Sequence, residues 1–391
     1  MTVKKAIGKI HLWLGLSSGL VVFIIAITGC IYAFQEEISN LTQPYRFVQA
    51  QDKPFLPPSQ LQSIALAELP GKQVHALMYQ GKDRAAKAIF YSDEDDYYYM
   101  VYINQYTGQV LKVSDENRTF FRFILDGHFY LWLPHEVGHV VVASATLIFA
   151  VMVLTGLILW WPKNKAGRKQ RFSIKWDAKW RRKNYDLHNV LGFYVLALAL
   201  VFAITGLVWG FEWFSKGYYA VISGGEKMLP YEEPLSKYIS KATTAAQAPA
   251  IDRIWVRESQ GLPAGASIEV HTPEKNTSAI AVNINPDPTT YWKTDYRYFD
   301  QYTLEEIPVK HIWGRFANTT AGQKLMRMNY DIHVGAVWGF PGKLLAFFAS
   351  LIIASLPVTG TLIWWGRRNK SKKTSAPNKA KKATRITAQP V

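Results

Sequence analysis

The chain has 391 residues, 49 % of them hydrophobic, and a formal net charge of +16. Its hydrophobic residues are concentrated in four blocks with no charged residue in the middle, and each block is long enough to cross a hydrocarbon core about 30 Å thick. This distribution excludes an ordinary soluble enzyme and predicts four membrane-spanning α-helices. The blocks are residues 10–34, 138–161, 187–212 and 342–365.

The positive charge lies beside these blocks. Segments 4–9, 163–183 and 367–385 together hold 22 of the 45 basic residues and one acidic residue. Because Lys and Arg are concentrated on the cytoplasmic side of membrane proteins, both termini and the central loop are predicted to lie in the cytoplasm and the two long loops outside it. A nucleic-acid-binding face would need basic residues clustered on a folded domain, so nucleic acid is not expected as a partner.

The first predicted helix, 10–34, carries His11 at its cytoplasmic end. Gly15 follows one turn later on the same face, where the missing side chain leaves room for a flat ligand beside the imidazole; close helix packing is the alternative role. Cys30 is the only cysteine, which excludes an intramolecular disulfide, a CxxCH haem attachment and an iron–sulfur cluster. Residues 27–30 resemble a lipoprotein cleavage site, but the apolar stretch continues to Phe34, so an uncleaved helix is predicted.

The first long loop, 35–127, is predicted to form a small α+β module outside the membrane. A helix is predicted over 60–67, after two prolines, and strands are predicted over 88–91, 97–101 and 102–111. The acidic and aromatic stretch 93–99 is a candidate ligand-binding edge, and a solvated turn is its alternative.

Asp126 and His128 stand where the chain returns to the membrane, and the segment 128–161 contains the second predicted helix. The Asp126 carboxylate is predicted to accept the free imidazole N–H of His128 and to fix the ring, as carboxylates behind metal-bound imidazoles do; an ordinary polar loop residue is the alternative. The same segment contains His135-Glu136-Val137-Gly138-His139, a literal HExxH sequence, which is typical of zinc proteases. No acidic third ligand follows before Glu212, so a metalloprotease is the lesser alternative.

The second half of the chain repeats the first. After a basic cytoplasmic loop, 162–186, the third helix block, 187–212, opens with His188 and Gly192. These two residues match His11 and Gly15 at a shift of 177 residues, without a gap. Gly192 is therefore predicted to leave room beside His188, as Gly15 does beside His11.

A second external α+β module is predicted over 213–332. It has strands predicted over 267–270, 279–284 and 296–299, and a loosely ordered connection over 236–249. Asp331 and His333 correspond to Asp126 and His128, and the same roles and alternatives are predicted for them. His333 opens the segment 333–365, which contains the fourth predicted helix and matches the second one at a shift of 204 residues. The basic tail 366–391 follows. Because both copies have the same orientation, the pseudo-twofold axis is predicted to run along the membrane normal.

Four histidines therefore recur as two pairs, His11 with His188 near the inner face and His128 with His333 near the outer face. Intramembrane histidines are costly and usually functional, and two imidazoles on different helices are the ligand set of a six-coordinate haem iron. Two haems are predicted, because a single inner haem would leave a gap to the outside too wide for fast electron transfer. His135 or His139 is the alternative outer ligand.

Several short motifs, taken together, resemble those of a known protein family. The HxxLG helix starts, the YTG-type strand ends, the outer DxH motifs and the TG…WW helix ends resemble the PepSY-associated transmembrane family, over residues 5–368. More narrowly, they resemble the iron-regulated inner-membrane reductases of ferric siderophores. The resemblance implies a bacterial inner-membrane protein that reduces ferric iron in periplasmic siderophore complexes with two b-type haems, whose iron is bound by His11, His188, His128 and His333.

No dinucleotide- or nucleotide-binding motif is present, so the electrons are predicted to come from a membrane quinol or from a cytoplasmic donor protein. The main alternative is a siderophore or metal transporter without haem, in which the histidines are structural. That alternative predicts a colourless protein.

Overall fold

The computed structural model describes residues 1–162, 171–237 and 248–374. Parts of three predicted segments lie outside these residues, namely the basic loop at 163–170, the connection at 238–247 and the tail at 375–391. In chain order the α-helices are α1 (Val3–Tyr32), α2 (Gln35–Thr42), α3 (Pro58–Glu68), α4 (Phe120–Tyr130), α5 (His135–Trp160), α6 (Trp180–Gly210), α7 (Glu212–Ser223), α8 (Ala250–Ser259), α9 (Ala321–Arg327), α10 (Asn329–His333) and α11 (Gly339–Thr374). The strands are β1 (Ala76–Gln80), β2 (Ala86–Ser92), β3 (Tyr97–Ile103), β4 (Val110–Asp115), β5 (Ser267–His271), β6 (Ile280–Asn285) and β7 (Asp295–Phe299).

Four helices, α1, α5, α6 and α11, are long and apolar enough to cross a membrane, as the four hydrophobic blocks predicted. They form a ring in which α1 packs against α5 and α11, and α6 packs against the same two helices. Small buried residues such as Ala26, Ala199 and Ala354 lie at the centre of the ring. Because lipid supplies no hydrophobic driving force between helices, such small residues favour association by letting the helices approach closely.

The strands form one antiparallel sheet with the order β4-β3-β2-β1-β5-β6-β7. Two separate modules were expected, but β1 pairs with β5, which joins the two long loops into a single sheet. Strand β1 was not predicted because its sequence, Ala-Leu-Met-Tyr-Gln, has no β-branched residue. The strand predicted over 102–111 is interrupted by a turn, in which Gly108 has a φ of +77° and donates its N–H to the Asn104 carbonyl at 2.9 Å.

One face of the sheet packs on α3 and α8. Its core includes Leu61 and Ile254 of these helices and the strand residues Leu77, Val101 and Val270. The helix predicted over 60–67 corresponds to α3, which begins at Pro58 because a proline suits the first helical turn.

The chain returns to the membrane in the same way in both halves, since α4 packs on α1 and α10 packs on α6. The returning helices then start very close to the preceding turn. A Cβ on Gly138 would overlap the Tyr130 carbonyl oxygen, and one on Gly342 would overlap the Gly335 carbonyl oxygen. Glycine at these two positions lets the returning helices begin directly behind the segments that carry His128 and His333.

Candidate functional site

Two cavities lie inside the helix bundle, one nearer each end. The outer cavity has a volume of about 400 Å³ and is lined by His128 and His333. The inner cavity has a volume of about 380 Å³ and is lined by His11 and His188. Both volumes are typical of small-molecule sites, as is their mostly apolar lining. The structure thus brings the four histidines together in the two expected pairs, and each pair takes one residue from each half of the chain.

Each of these histidines is held at its Nδ1 atom by a threonine of a neighbouring membrane helix. The Nδ1–Oγ1 distances lie between 2.8 and 3.2 Å, and the pairs are His11–Thr155, His128–Thr28, His188–Thr359 and His333–Thr205. His128 Nδ1 also lies 2.8 Å from the Ile25 carbonyl oxygen. Because a carbonyl only accepts hydrogen bonds, this nitrogen must carry the ring proton.

The threonine hydroxyls are oriented by their own helices. Thr205 donates its hydroxyl proton to the Val201 carbonyl at 2.7 Å, which leaves its oxygen to accept the Nδ1–H of His333. The other three threonines donate in the same way, to the carbonyl oxygens of Ile24, Met152 and Ser355. A neutral imidazole with its proton on Nδ1 has its lone pair on Nε2. The four rings are therefore prepared to bind a ligand through Nε2.

A glycine follows each of the four threonines and lies beside the same imidazole. The position of a Cβ built on each glycine would be 3.1 to 3.6 Å from the Cε1 atom of the ring. The pairs are Gly29–His128, Gly156–His11, Gly206–His333 and Gly360–His188. The Thr-Gly dipeptides were visible in the sequence as markers of the repeat, but their contacts with the histidines were not predicted.

Gly15 and Gly192, which were predicted to leave room beside the inner histidines, both line the inner cavity. A Cβ on Gly15 would lie 2.9 Å from Met152 Cε, and one on Gly192 would lie 3.6 Å from Leu356 Cδ2. Both glycines thus face side chains of the neighbouring helices across the cavity. The placement agrees with the cofactor role and with the packing role.

The predicted role of Asp126 and Asp331 is wrong. Asp126 pairs with Arg122 at 3.0 Å, and Asp331 accepts the backbone N–H groups of Tyr291 and Trp292 at 3.1 and 2.9 Å. Residues two positions apart on a helix do not face each other, so neither carboxylate reaches the imidazole that follows it. Asp331 instead ties the loop 286–294 to α10, and burial raises the pKa of this carboxyl to about 6.

The HExxH sequence forms the first turns of α5. His139 lines the outer cavity and lies 3.2 Å from the Trp209 carbonyl through Nε2, whereas His135 packs against Tyr130 with a ring separation of 4.5 Å. Within the described ranges, no three His, Cys, Asp or Glu side chains are arranged to hold a metal ion. The geometry therefore does not favour a zinc protease, and it places His139, rather than His135, next to the outer pair.

The acidic and aromatic stretch 93–99 does not form one edge. Residues 93–96 form the exposed turn between β2 and β3. Tyr97 and Tyr99 point to the core face and are covered by the Lys72 ammonium, which lies 4.1 and 5.3 Å from their ring centres. Tyr98 alone points to the opposite face, because successive side chains alternate along a strand.

The residues around the outer cavity fit a haem. The ring centres of His128 and His333 are 6.1 Å apart. Metal–imidazole bonds are about 2 Å long, so two imidazoles on opposite sides of one iron would have ring centres roughly 6 Å apart. Burial lowers the pKa of His128, and burial together with the nearby His128 lowers the pKa of His333 to about 3. Both rings are therefore neutral at pH 7, which is the form that binds metal ions.

Comparison with known proteins agrees with the resemblance inferred from the motifs. No curated protein matches the chain. Residues 9–367 match the model of the family described as "PepSY-associated TM region", a range that contains most of each membrane-length helix and the whole sheet. The protein therefore belongs to the PepSY-associated transmembrane family.

Proposed function

We propose that the protein is a membrane reductase that holds b-type haem in both cavities and transfers electrons outward to ferric iron in siderophore complexes. The observation that carries this proposal is the fourfold Thr-Gly-His arrangement, which leaves two imidazole Nε2 atoms for each cavity. A purely structural histidine would not need its second nitrogen directed toward a cavity. When bound, haem would supply an iron that alternates between the ferric and ferrous forms and carries one electron.

The position of the cavities supports transfer across the membrane. His11 and Thr28 lie 17 residues apart on α1, which corresponds to about 25 Å along the helix axis. A haem in only one of the two cavities would therefore leave the electron to cross most of the hydrocarbon core in a single step. Val22 and Phe149 line both cavities, so only one layer of side chains separates them. The two cavities therefore lie in series along the bundle, which supports electron transfer in two short steps.

We further propose that both termini lie in the cytoplasm, that the sheet lies in the periplasm of a bacterial inner membrane, and that electrons enter from a quinol or a cytoplasmic donor protein. The basic segments at the membrane ends support this orientation. The topology is tested with single cysteines placed within 70–110 or 260–300. The native Cys30 is buried, so it should not react with an impermeant maleimide. Both sets should be labelled from the periplasmic side; labelling only after the cytoplasmic face is opened would contradict the orientation.

The reductase activity is tested by reoxidation of the reduced protein. The purified protein is reduced with dithionite, freed of the excess, and mixed with a ferric siderophore under argon. We expect the reduced haem spectrum to be lost and one ferrous ion to reach a ferrous chelator for each electron given up. A gallium siderophore, which accepts no electron, is the control. A coloured protein that no ferric chelate reoxidises would exclude this reaction, and a colourless protein would favour the transporter.

A further inference from the structure

The two cavities differ in the charge of their walls. Among the described residues, Arg367 is the one charged side chain that lines the inner cavity apart from its two histidines, and no acidic side chain lines it. The described wall of the outer cavity contains no Lys, Arg, Asp or Glu. The two halves of the repeat supply both cavities with the same histidines, threonines and glycines, so Arg367 is a feature of the inner cavity alone.

Arg367 reaches the cavity through the period of α11. Gly360 of the same helix lines the cavity, and a Cβ on it would lie 3.2 Å from His188 Cε1. Trp364 lines the cavity as well. Residues at i, i+4 and i+7 share one face of a helix, and seven residues correspond to about 10 Å along its axis. Arg367 therefore lies beyond His188 toward the end of the bundle where α1 begins, and because its side chain is also exposed, the cavity opens to the surface there.

Two hydrogen-bond donors at this end are not used within the protein. The Arg367 guanidinium has no hydrogen-bond or ion-pair partner in the part of the chain that the structure describes. The hydroxyl of Tyr185, which also lines the cavity, makes no hydrogen bond to a described residue. Asp186 does not compete for them, because its carboxylate is buried and accepts a hydrogen bond from Arg182 at 2.9 Å. The donors are therefore free to bind a ligand.

The ligand that fits this arrangement is an apolar disc with an anionic edge. Most of the wall is apolar, and the imidazoles of His11 and His188 are part of it, whereas the positive charge stands at one end. A further base, Arg181, lies near this end, since its Nε would be 3.9 Å from a Cβ on Gly366. Haem has an apolar ring and carries both of its carboxylates on one edge. Its carboxylates would meet positive charge if that edge points toward Arg367.

We infer that Arg367 binds the carboxylate edge of a haem in the inner cavity, with the Tyr185 hydroxyl as a second donor. The identity of the ligand rests on the proposed function. A guanidinium can form two parallel N–H···O bonds with one carboxylate, so Arg367 fixes the orientation of the ring in its plane as well as adding affinity. The wall of the outer cavity offers haem no such group, so the effect of Arg367 is confined to the inner site.

The test compares haem with haem dimethyl ester, which has the same ring and iron but no carboxylate charge. Each is titrated, with absorbance as the readout, into haem-depleted full-length protein that carries His128→Ala, so that the inner pair of histidines alone is intact. Arg367→Gln is expected to weaken haem binding by about tenfold and to change binding of the ester by less than about twofold. Arg367→Lys should retain part of the haem affinity, because it keeps the charge but not the paired bonds.

The midpoint potential of the inner haem is a second readout. A cation beside the ring favours the ferrous form, which carries one positive charge less than the ferric form. In the otherwise wild-type protein, Arg367→Gln should therefore lower the potential of the inner haem and leave that of the outer haem unchanged. Tyr185→Phe, which removes the hydroxyl and keeps the ring, should weaken haem binding less than Arg367→Gln does and leave binding of the ester unchanged.

Lys9→Gln is the matched control for the loss of one positive charge. Lys9 follows Gly8 on α1, at the same end of the bundle, but its side chain is exposed and does not line the cavity. It should leave both affinities unchanged. Equal weakening by Arg367→Gln and Lys9→Gln, or equal weakening of haem and ester binding by Arg367→Gln, would overturn the assignment. Haem binding that Arg367→Gln leaves unchanged would overturn it too, while the proposed function would stand. A wild-type protein that binds neither haem nor the ester would contradict the proposed function itself, and the assignment with it.

Discussion

His333→Ala is expected to lower the haem content of the purified protein from two per chain to one. His128→Ala should remove the same spectral component, because the two rings line one cavity with their centres 6.1 Å apart. His11→Ala and His188→Ala should each remove the other component, because those rings share the inner cavity. The measurement is the pyridine haemochrome content per protein, combined with the reduced-minus-oxidised spectrum of each variant.

His75→Ala is the matched control for these four variants. His75 directly precedes β1, lines neither cavity, and has a ring that contacts His271 and Tyr91. It should keep both spectral components. The outer pair would be assigned wrongly if His128→Ala kept both components while His139→Ala lost one, since His139 lines the same cavity. A wild-type protein with a single haem would contradict the arrangement of two sites in series.

Gly29→Ala is expected to weaken binding of the outer haem by about tenfold to a hundredfold, as changes behind metal-bound histidines generally do. The new Cβ would lie 3.1 Å from His128 Cε1 and 3.5 Å from its Nδ1. The ring has little freedom to move away, because its Nδ1 is bound to the Ile25 carbonyl at 2.8 Å. A titration of the haem-depleted protein with haem, followed by absorbance, measures the effect.

Gly217→Ala serves as the control because it makes the same change inside a helix, α7, and lines neither cavity. There the new Cβ would have no heavy atom of the described residues within 4 Å. Alanine favours a helix over glycine by about 1 kcal/mol, so weaker haem binding in Gly29→Ala would not reflect a weaker helix. If both variants bound two haems with the wild-type affinity and spectrum, the steric role assigned to the Thr-Gly pairs would be wrong.

The membrane-length helices were predictable because their signal is local. A block such as 187–212, which has no charged residue in its middle, has one stable arrangement in lipid, and the structure shows α6 over Trp180–Gly210. The joining of the two loops into one sheet was not predictable. It depends on the pairing of Leu77 with Val270, which are far apart in the sequence. Neither strand has a sequence pattern that indicates which other strand it pairs with.

The site was predicted in part. The pairing of the histidines follows from the repeat, because residues at the same depth on parallel copies must come close to a shared axis. The hydrogen-bond partners did not follow from it. Asp126 was chosen because it is close to His128 in the sequence, whereas the true partner, Thr28, lies on another helix. A threonine inside a membrane helix usually bonds to its own backbone, so its second role is visible only after the helices are packed.

Each cavity takes one histidine from the first half of the chain and one from the second. Residues 1–162 contain both threonines that hold His11 and His128, so the first half can orient its own two rings. It cannot close either cavity, because Gly206 and Gly360 arrive with α6 and α11. During biosynthesis, both cavities therefore remain incomplete until the last helix has been inserted. On the proposed function, haem would be loaded only after the whole chain has been inserted. A product that ends at residue 162 would reach the membrane with two oriented imidazoles, those of His11 and His128, and without the partner histidine of either.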